Sequence, residues 1–516
     1  MKTRTYISLF SSAGVGCYGF KMNNFRCIAT NELLKARINV QRANKKCEYD
    51  SGYICGDITK QETHDLLFKE IDKWKKEENL DQVDVVFATP PCQGMSTVNY
   101  KKTDHEQIRN SLVVEAIKII KEIHPKIFIF ENVRAFMTSI CTDVSGEDML
   151  IKDSIFSNLG DSYNIFWKVV NFKDFGVPSS RPRTLVIGTS KAIPLISPLN
   201  LFPARYKEIT LREAIGDFPS LEFGEKDSND PFHFARPFPR HEIAWIEDLV
   251  EGQSAFDQPE EKQPYKILKD GTRVALKGAY MGNKYRRLFW DKPGACVATR
   301  SDVLSSQDTI HPCDNRVLSI RELMRIMTIP DSFLWSDEDS NLTVQNSTSY
   351  LAKNEMNIRR CIGEAVPTKI IDSIASKIKI MLDYVDANEE GVTIPDNYYS
   401  KNSNILALQS KVFDKIVKCN TTNEVISLGI NTVEGFISYV PQFVSYYTNA
   451  QNIKITAIAL NENKVEEIKK DLSLLELGCN VSIAFNKEET NTHYDYFVDT
   501  SIHPFVVSEQ ITWLDL

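Results

Sequence analysis

Residues 111–133, SLVVEAIKIIKEIHPKIFIFENV, decide the fold class. In the first half of this stretch, apolar residues recur at helical spacing, at Leu112, Ala116, Ile119, Ile120 and Ile123. In the second half, residues 126–130 form a short apolar run, which predicts a buried strand. A helix followed directly by a strand is the repeating unit of an α/β sheet.

The same alternation continues through the first 190 residues. Further short apolar runs lie at 5–10, 26–30, 83–88 and 184–188, and a second amphipathic stretch lies at 63–76. Short runs bounded by turn residues are typical of strands that helices cover on both faces. We therefore expect a parallel, Rossmann-like α/β sheet, with ligands bound at the carboxyl ends of its strands.

Composition limits the class of protein. At 516 residues the chain is long enough for about two to four domains, and its 42% hydrophobic and 25% charged residues are ordinary globular usage. The net charge of −8 argues against a globally basic nucleic-acid coat protein but leaves room for a local basic cleft.

The eleven cysteines include no Cys-x-x-Cys pair, so we expect reduced thiols and no metal centre. Lys2 and Arg4 precede an apolar run that resembles a signal peptide, but this run is rich in glycine and serine. No stretch approaches the ~18–20 apolar residues of a membrane span. We expect a soluble cytoplasmic protein without a membrane partner.

The charge composition of the chain changes after about residue 197. Residues 200–270 contain 9 basic and 15 acidic residues, whereas 271–300 contain 7 basic residues and one acidic residue. The second segment also holds Tyr285, Phe289 and Trp290, and basic residues mixed with aromatic ones are typical of a nucleic-acid groove. The alternative is a solvated charged surface.

Helical patterns return at 319–328 and 368–382, and a polar linker follows at 386–403. Beyond it, 404–516 contains strand-like runs and one helix-like run, which predict a small α/β unit. This unit is either a degenerate second Rossmann-like half or a structural extension.

One cysteine follows a predicted strand in a stiff turn, Thr89-Pro90-Pro91-Cys92-Gln93-Gly94-Met95-Ser96. Two prolines fix the backbone before Cys92, and Gly94 permits a tight turn after it. Such a turn at a strand end presents a nucleophile in α/β folds. The alternative is a buried structural cysteine.

Two further segments supply charged groups at strand ends. Glu131-Asn132-Val133 follows the strand at 126–130, and Arg181 and Arg183 lead into the strand at 184–188. A thiolate beside a carboxylic acid suits attack on a nitrogen heterocycle, and the two arginines could clamp a phosphate or a carbonyl. The alternatives are a helix cap or ion pair for Glu131, and a surface pair for the arginines.

In this order, Pro-Pro-Cys-Gln-Gly-x-Ser, Glu-Asn-Val and Gly-Val-Pro-x-x-Arg-x-Arg resemble motifs of the cytosine-5 DNA methyltransferase family. Further segments resemble the family's glycine-rich loop for S-adenosylmethionine (AdoMet), its ninth motif with the stretch before it, and its tenth motif. These segments are 10–20, 285–293, 316–331 and 363–367. The resemblance spans about residues 4–382.

The resemblance implies a chemical role for four residues. Cys92 would attack C6 of a cytosine that is flipped out of the duplex, while Glu131 hydrogen-bonds N3. Arg183, with Arg181, would contact the cytosine carbonyl or its phosphate. A methyl group from AdoMet would then be added at C5.

The resemblance also implies the residues that hold AdoMet. Phe10 would pack near the adenine, Glu32 would bind the ribose hydroxyls, and Asp57 would meet the adenine amino group. The loop residues, the pocket walls and the acceptor for the cofactor's amino group would be Ser12, Ala13, Gly14, Ile58, Pro91, Leu112 and Glu364. For Glu32 and Asp57 the alternative is a helix cap or first-turn charge.

The variable stretch 198–300 would read the DNA sequence. The residues expected to contact DNA are Gln93, Ser96, Arg286, Arg287 and Arg300. Departures from the family pattern stand at Ser12 and Val15 in the first loop, at Ser179 in the arginine motif and at Glu364 in the tenth motif.

The expected domains are an AdoMet-binding catalytic domain (1–196), a target-recognition region (197–315), a return to the catalytic domain (316–385), the linker (386–403) and the C-terminal α/β extension (404–516). We expect a monomeric, sequence-specific DNA cytosine-5 methyltransferase that acts on duplex DNA beside a cognate restriction endonuclease. The alternatives are an RNA cytosine methyltransferase and a DNA-binding regulator that has lost catalysis.

Overall fold

The computed structural model describes residues 2–91, 112–193, 196, 198–203, 207–276 and 281–389, together with five strands between 426 and 512. Its strands are β1 (Thr5–Leu9), β2 (Arg26–Glu32), β3 (Tyr53–Cys55), β4 (Val85–Ala88), β5 (Ile127–Val133), β6 (Ile140–Thr142), β7 (Asp148–Leu150), β8 (Tyr163–Asn171), β9 (Pro182–Ser190), β10 (Tyr265–Ile267), β11 (Arg273–Ala275), β12 (Ile426–Thr432), β13 (Ile453–Ala459), β14 (Asn480–Phe485), β15 (His493–Asp499) and β16 (Val506–Thr512).

Its helices are α1 (Tyr18–Met22), α2 (Lys35–Ala43), α3 (Gln61–Glu77), α4 (Leu112–Ile123), α5 (Ile151–Leu159), α6 (Leu211–Ile215), α7 (Arg240–Ile243), α8 (Ile320–Ile326), α9 (Ser347–Glu364) and α10 (Thr368–Glu389). Within these described parts of the chain, no helix is both long and apolar enough to cross a bilayer.

The central sheet has seven strands in the order β3-β2-β1-β4-β5-β9-β8. The first five strands in this order, β3, β2, β1, β4 and β5, run parallel, as the sequence predicts. In contrast to the expected wholly parallel sheet, β9 runs antiparallel to both of its neighbours, β5 and β8. Because β9 is reversed, its beginning lies beside the end of β5, and this brings Arg183 opposite Val133.

Helices cover both faces of this sheet, as expected for an α/β fold. Helices α3, α4 and α5 pack on one face around Trp74, Ile117 and Ile155, all buried. Helices α1 and α10 pack on the other face, so close together that a Cβ on Gly19 would lie 2.3 Å from the backbone nitrogen of Asp372.

The start of the chain is fixed to α10 by a buried ion pair. Arg4 lies immediately before β1, and its guanidinium donates hydrogen bonds to the carboxylate of Asp383. Both side chains are 2% exposed. The charged residue that looked like the flank of a signal peptide therefore belongs to the core of the fold.

A third apolar cluster joins the loop after β1 to helices α6, α8 and α9 through Ala13, Leu211, Leu323 and Ile362. Helix α8 begins with a capping box of Ser319 and Glu322. Burial alone would raise the pKa of Glu322, but the charge and the hydrogen bonds of Arg316 outweigh it and lower this pKa to about 2.

Two short hairpins project from this framework. The hairpin β6–β7 lies between β5 and α5, and the hairpin β10–β11 lies within the predicted target-recognition region. The five strands after residue 426 form a separate sheet in the order β14-β13-β12-β15-β16, parallel except for β16. Its strands occur where the sequence predicts a C-terminal α/β unit.

Candidate active site

The carboxyl ends of five parallel strands, with the start of β9, form one edge of the central sheet. The register pairs Leu9 with Ala88, Ala88 with Phe130, and Val133 with Arg183. We call the ends of β1, β2 and β3 the β1–β3 half of this edge, and the end of β5 with the start of β9 the β5–β9 half. Three predicted site residues that the structure describes, Glu32, Glu131 and Arg183, lie along this edge.

The loop after β1 belongs to the β1–β3 half, and its backbone is sharply bent. Phe10 and Ser12 have φ angles of 55° and 45°, and Gly14 has a φ of 78°. Non-glycine residues in this region cost of order 1–3 kcal/mol each and persist only where the surroundings hold them. Thr89 supplies part of that support, because its backbone N–H binds Leu9 O and its hydroxyl donates to Phe10 O.

A buried polar cluster holds the same loop from below. The amide nitrogen of Gln41 donates to Ser12 O at 2.6 Å and to the hydroxyl of Ser11 at 2.8 Å. Thr30 and Lys46 donate to the Gln41 amide oxygen. Thr30, Gln41 and Lys46 lie outside the motifs, so the sequence does not single them out as partners of the first loop.

Glu32 and Asp57 lie at the ends of β2 and just beyond β3. Both carboxylates already bind the chain: Glu32 accepts from the backbone nitrogens of Ser12 and Leu34, and Asp57 accepts from the nitrogen and the hydroxyl of Thr59. The backbone hydrogen bond from Thr59 lowers the pKa of Asp57. Both carboxylates are therefore held in place at the edge.

Apolar walls adjoin these acids. Ile58 is buried, and Phe10 and Leu112 pack half-buried against the same core cluster. Ala13 is buried against the third cluster, and Pro91 is half-buried at the end of the described segment. An aromatic ring, apolar walls and two fixed carboxylates suit a ligand that combines a flat ring with hydroxyl and amino groups.

Glu364 contacts the same loop from helix α9. Its carboxylate accepts from the Ser12 hydroxyl at 3.1 Å and from the Arg37 guanidinium at 2.9 Å. The departure in the tenth motif is thus matched by the serine in the first loop, and Arg37 neutralises the added charge. Glu364 remains 42% exposed and can face a ligand in the loop.

Glu131 and Arg183 face each other in the β5–β9 half. Arg183 Nε lies 3.4 Å from Glu131 Oε1, and the Glu131 side chain is only 8% exposed. Burial raises the pKa of Glu131, and the charges of Arg183 and Arg181 offset only part of that rise. Oε1 is a buried oxygen without a hydrogen bond, which is uncommon in folded proteins.

Arg181 lies deeper than expected. Its guanidinium donates to Gly363 O at 3.0 Å, to Val297 O at 3.4 Å and to Cys296 Sγ at 3.3 Å, and the residue is 2% exposed. A group bound to the chain in this way has little room for a phosphate or a base carbonyl. We therefore correct its expected role from a contact residue to a positioning residue.

Cys296 is a neighbour that the sequence analysis did not single out. Its exposed thiol also lies 3.9 Å from Arg183 Nη2. Both arginines therefore meet at one sulfur, next to the buried carboxyl of Glu131.

The turn before Cys92 is fixed to the same half. Asn132 is buried, and its amide donates to Pro90 O at 2.8 Å. Cys92, Gln93 and Ser96 themselves lie outside the described residues. The last described residue of the turn, Pro91, immediately precedes Cys92 in the chain.

The residues expected to contact DNA differ in surroundings. Arg287 is 3% exposed and donates to His311 O, Asp314 O and Ile246 O, so its expected role is corrected to a structural one. Arg286 pairs with Asp308 and Arg300 pairs with Asp302.

Among the described residues, His311, Cys313 and Asp314 bring ligand-type atoms within 4.8 Å of one another. Hydrogen bonds already occupy these atoms: His311 Nδ1 accepts from the backbone nitrogen of Asp314, and the carboxylate of Asp314 binds Ser220 and Arg316. The positive charge of Arg316 opposes a cation here, and the hydrogen bonds give the cluster a structural role.

Comparison with known proteins gives a consistent result. The model of the family described as C-5 cytosine-specific DNA methylases matches residues 4–380. The Type II methyltransferase M1.HgaI of Avibacterium volantium is 30% identical over 388 residues, which cover 72% of this chain and 97% of that protein.

Two further relatives match a similar length. The Type II methyltransferase M1.HphI of Haemophilus parahaemolyticus is 29% identical over 375 residues, covering 72% of this chain and 86% of its own. The Type II methyltransferase M.DdeI of Desulfomicrobium norvegicum is 26% identical over 416 residues, covering 75% and 92%. The family match ends at residue 380, before the five-stranded C-terminal sheet.

Proposed function

The chain belongs to the family of C-5 cytosine-specific DNA methylases, a family of DNA cytosine-5 methyltransferases, and from this premise we propose that it modifies duplex DNA through a covalent adduct on Cys92. One observation carries the proposal. The buried Glu131, whose Oε1 lacks a hydrogen bond, lies beside the turn that leads into Cys92.

The cofactor of the proposed reaction is AdoMet, and the β1–β3 half suits it. Phe10 would contact the adenine, Asp57 its amino group and Glu32 the ribose hydroxyls, while Ser12 and Glu364 would hold the methionine part. Bound there, AdoMet supplies an electrophilic methyl group. The loop with positive φ at Phe10 and Ser12 supports this assignment, because backbone strain of this kind clusters at ligand-binding sites.

In the β5–β9 half, the chain would handle the base. The Cys92 thiolate forms a bond to cytosine C6, and Glu131, whose pKa is raised by burial, donates a hydrogen bond to N3. C5 thereby becomes nucleophilic and accepts the methyl group. Loss of the C5 proton to a base then breaks the sulfur–C6 bond and frees Cys92.

Arg183 and Arg181 take different parts in this proposal. Arg183, at the edge, would contact the cytosine carbonyl, while Arg181 holds the segment around Cys296 and Gly363 in place behind it. Because the target atoms are inaccessible inside a duplex, the cytosine must be flipped out. The region 197–315 would select the site.

We further propose that the protein protects DNA against a cognate restriction endonuclease. The support is that three similar proteins, M1.HgaI, M1.HphI and M.DdeI, carry the name of Type II methyltransferases.

The test uses duplex DNA that contains 5-fluorocytosine, whose C5 fluorine cannot leave as a proton does. Wild-type protein with AdoMet should form a covalent adduct, and Cys92→Ala should form none and lose at least about 10³-fold in turnover on ordinary DNA. An adduct in the alanine variant contradicts the proposal. A parallel assay with transfer RNA separates the RNA alternative, and specific binding without methyl transfer would support the inactive regulator.

A further inference from the structure

The hairpin β10–β11 is unusually exposed for an ordered pair of strands. Every residue from 266 to 275 is exposed, on both strands and at the tip. Three of them are large and apolar: Ile267, Leu268 and Val274 are 48%, 39% and 45% exposed. A two-stranded hairpin in water is marginally stable by itself, so its order has to come from its turn and its base.

The turn is well formed. Leu268 and Thr272 are joined by a backbone hydrogen bond of 2.9 Å, and Gly271 has a φ of +84°. The carboxylate of Asp270 accepts from the backbone nitrogen of Thr272. A three-residue loop with glycine in the left-handed position is a common hairpin connection, so the tip keeps its shape without outside contacts.

The base is anchored by aromatic packing. The Tyr265 ring meets the edge of Trp245 at 5.4 Å and stacks on His241 at 6.0 Å. Arg273 also lies over the Tyr265 ring, 4.6 Å from its centre. The hairpin is therefore a rigid projection that leaves its apolar side chains in solvent.

The charge of the hairpin contrasts with the region that carries it. Residues 200–264 hold 7 basic and 14 acidic residues, whereas 265–276 hold three basic residues, Lys266, Lys269 and Arg273, and one acidic residue, Asp270. The register places Lys266 and Val274 directly opposite each other, so that Lys266, Leu268 and Val274 share one face. That face combines positive charge with apolar surface.

We propose that the β10–β11 hairpin enters the major groove of the substrate duplex and reads base edges there. The proposal rests on the proposed function, and it names the reading element. The major groove admits a two-stranded β-ribbon, lysines and arginines bind phosphate or guanine, and apolar side chains contact the thymine methyl group. Charge complementarity favours DNA over a protein partner as the occupant of this surface.

A second hairpin in the chain offers a matched control. The β6–β7 hairpin also exposes apolar side chains, with Ile140 at 52% and Val144 at 43% exposure. Its residues 140–150 contain three acidic residues and no basic one. Like the first hairpin it pairs two three-residue strands, but it has the wrong charge for DNA.

The experiment maps methylated cytosines by bisulfite sequencing of a random-sequence duplex pool treated with full-length protein. Leu268→Ser/Val274→Ser should lower kcat/KM at the mapped site by roughly 10- to 100-fold and relax the sequence preference. Ile140→Ser/Val144→Ser should leave both unchanged. AdoMet affinity and the unfolding temperature should stay at wild-type values in both variants, because the replaced side chains are exposed.

A charge variant provides a second readout. Lys266→Gln/Lys269→Gln should weaken binding to all duplexes equally and reduce the salt dependence of binding by about one unit of slope per lost phosphate contact. The hairpin proposal alone is overturned if wild-type protein methylates a mapped site and the Leu268→Ser/Val274→Ser variant keeps the same sequence preference. The hairpin proposal is also overturned if the only effect of that variant is a change in the oligomeric mass of the protein, because the surface would then bind a second copy of the chain. A wild-type protein that methylates no duplex overturns the proposed function and the hairpin proposal together.

Discussion

The two halves of the sheet edge treat their polar groups in opposite ways. In the β1–β3 half, Ser11, Ser12, Thr30 and Gln41 form a closed set of hydrogen bonds around the first loop. In the β5–β9 half, the buried oxygen Glu131 Oε1 has no hydrogen-bond partner. We call the first loop with these hydrogen bonds the cradle. The chain satisfies the polar groups of the cradle by itself but leaves a hydrogen bond in the other half for a substrate to make.

This difference has a physical basis. A cradle must keep one shape before its ligand arrives, so it gains from internal hydrogen bonds. A reactive carboxyl is useful only if its hydrogen-bonding capacity is still available when the base enters, and leaving it unsatisfied destabilises the fold by about 1–3 kcal/mol. Changes in the β5–β9 half should therefore affect the chemical step, and changes in the β1–β3 half should affect cofactor affinity.

The largest effect is expected for Glu131→Gln. Glutamine keeps the size and can still donate a hydrogen bond, but it cannot transfer a proton, so kcat should fall on the order of 10²- to 10⁴-fold. Affinity for S-adenosylhomocysteine, measured by calorimetry, should not change. An equal loss of turnover and of cofactor affinity would mean that Glu131 is structural and that the contrast between the halves is not real.

The same variant should be more stable than wild type. Burial raises the folded-state pKa of Glu131, so the ionised side chain destabilises the fold at pH values above that pKa. The stability gain of Glu131→Gln should be present at pH 8 and disappear as the pH falls below the unfolded value of about 4.3. Thermal unfolding across this range gives the measurement, and a gain that grows toward low pH would reverse the sign of our argument.

A smaller effect is expected for Arg181→Lys. Lysine cannot reach Gly363 O, Val297 O and Cys296 Sγ together, so we expect a loss of about 1–3 kcal/mol in the free energy of unfolding and about 10- to 100-fold in kcat. If the shorter lysine holds its positive charge farther from Glu131, the pKa of that carboxyl should rise and the pH profile of kcat should shift to higher pH. The control is Arg212→Lys, an exposed arginine paired with Asp291, and an unshifted profile in Arg181→Lys would refute its positioning role.

The smallest effect on turnover is expected for Gln41→Leu. This change removes the Gln41 donor to Ser12 O and one of the two donors to the Ser11 hydroxyl, so the first loop should loosen. KM for AdoMet should then rise about tenfold, with kcat within about twofold. Gln82→Leu is the matched control, because the Gln82 amide binds His124 O at an exposed site. A kcat loss larger than the KM change would show that the cradle also takes part in the chemical step.

Much of the fold could be predicted from the sequence. The runs at 5–10, 26–30, 83–88 and 126–130 coincide with β1, β2, β4 and β5, because buried strands of a parallel sheet are continuously apolar. The reversal of β9 could not be predicted, since an apolar run carries no information about direction. Strand β3 was missed because three residues are too few to show a period.

The site was predicted unevenly. Glu131 and Arg183 meet at the expected edge because motif order and strand order together determine which ends adjoin. The burial of Arg181 and Arg287 could not be predicted, because their partners are carbonyl groups that have no sequence signature, as far away as Gly363. In the sequence, an arginine among basic neighbours has the pattern of a phosphate-binding residue, and only the structure shows the carbonyl groups that it binds instead.

The ion pair between Arg4 and Asp383 also bears on the order in which the protein is made. The two residues are 379 positions apart, so a ribosome adds Asp383 long after it has made Arg4. A buried charge without its partner is strongly destabilising. The packing of the central sheet against α10 is therefore complete only after residue 383 has been made, and a nascent chain that stops before it lacks the partner of Arg4.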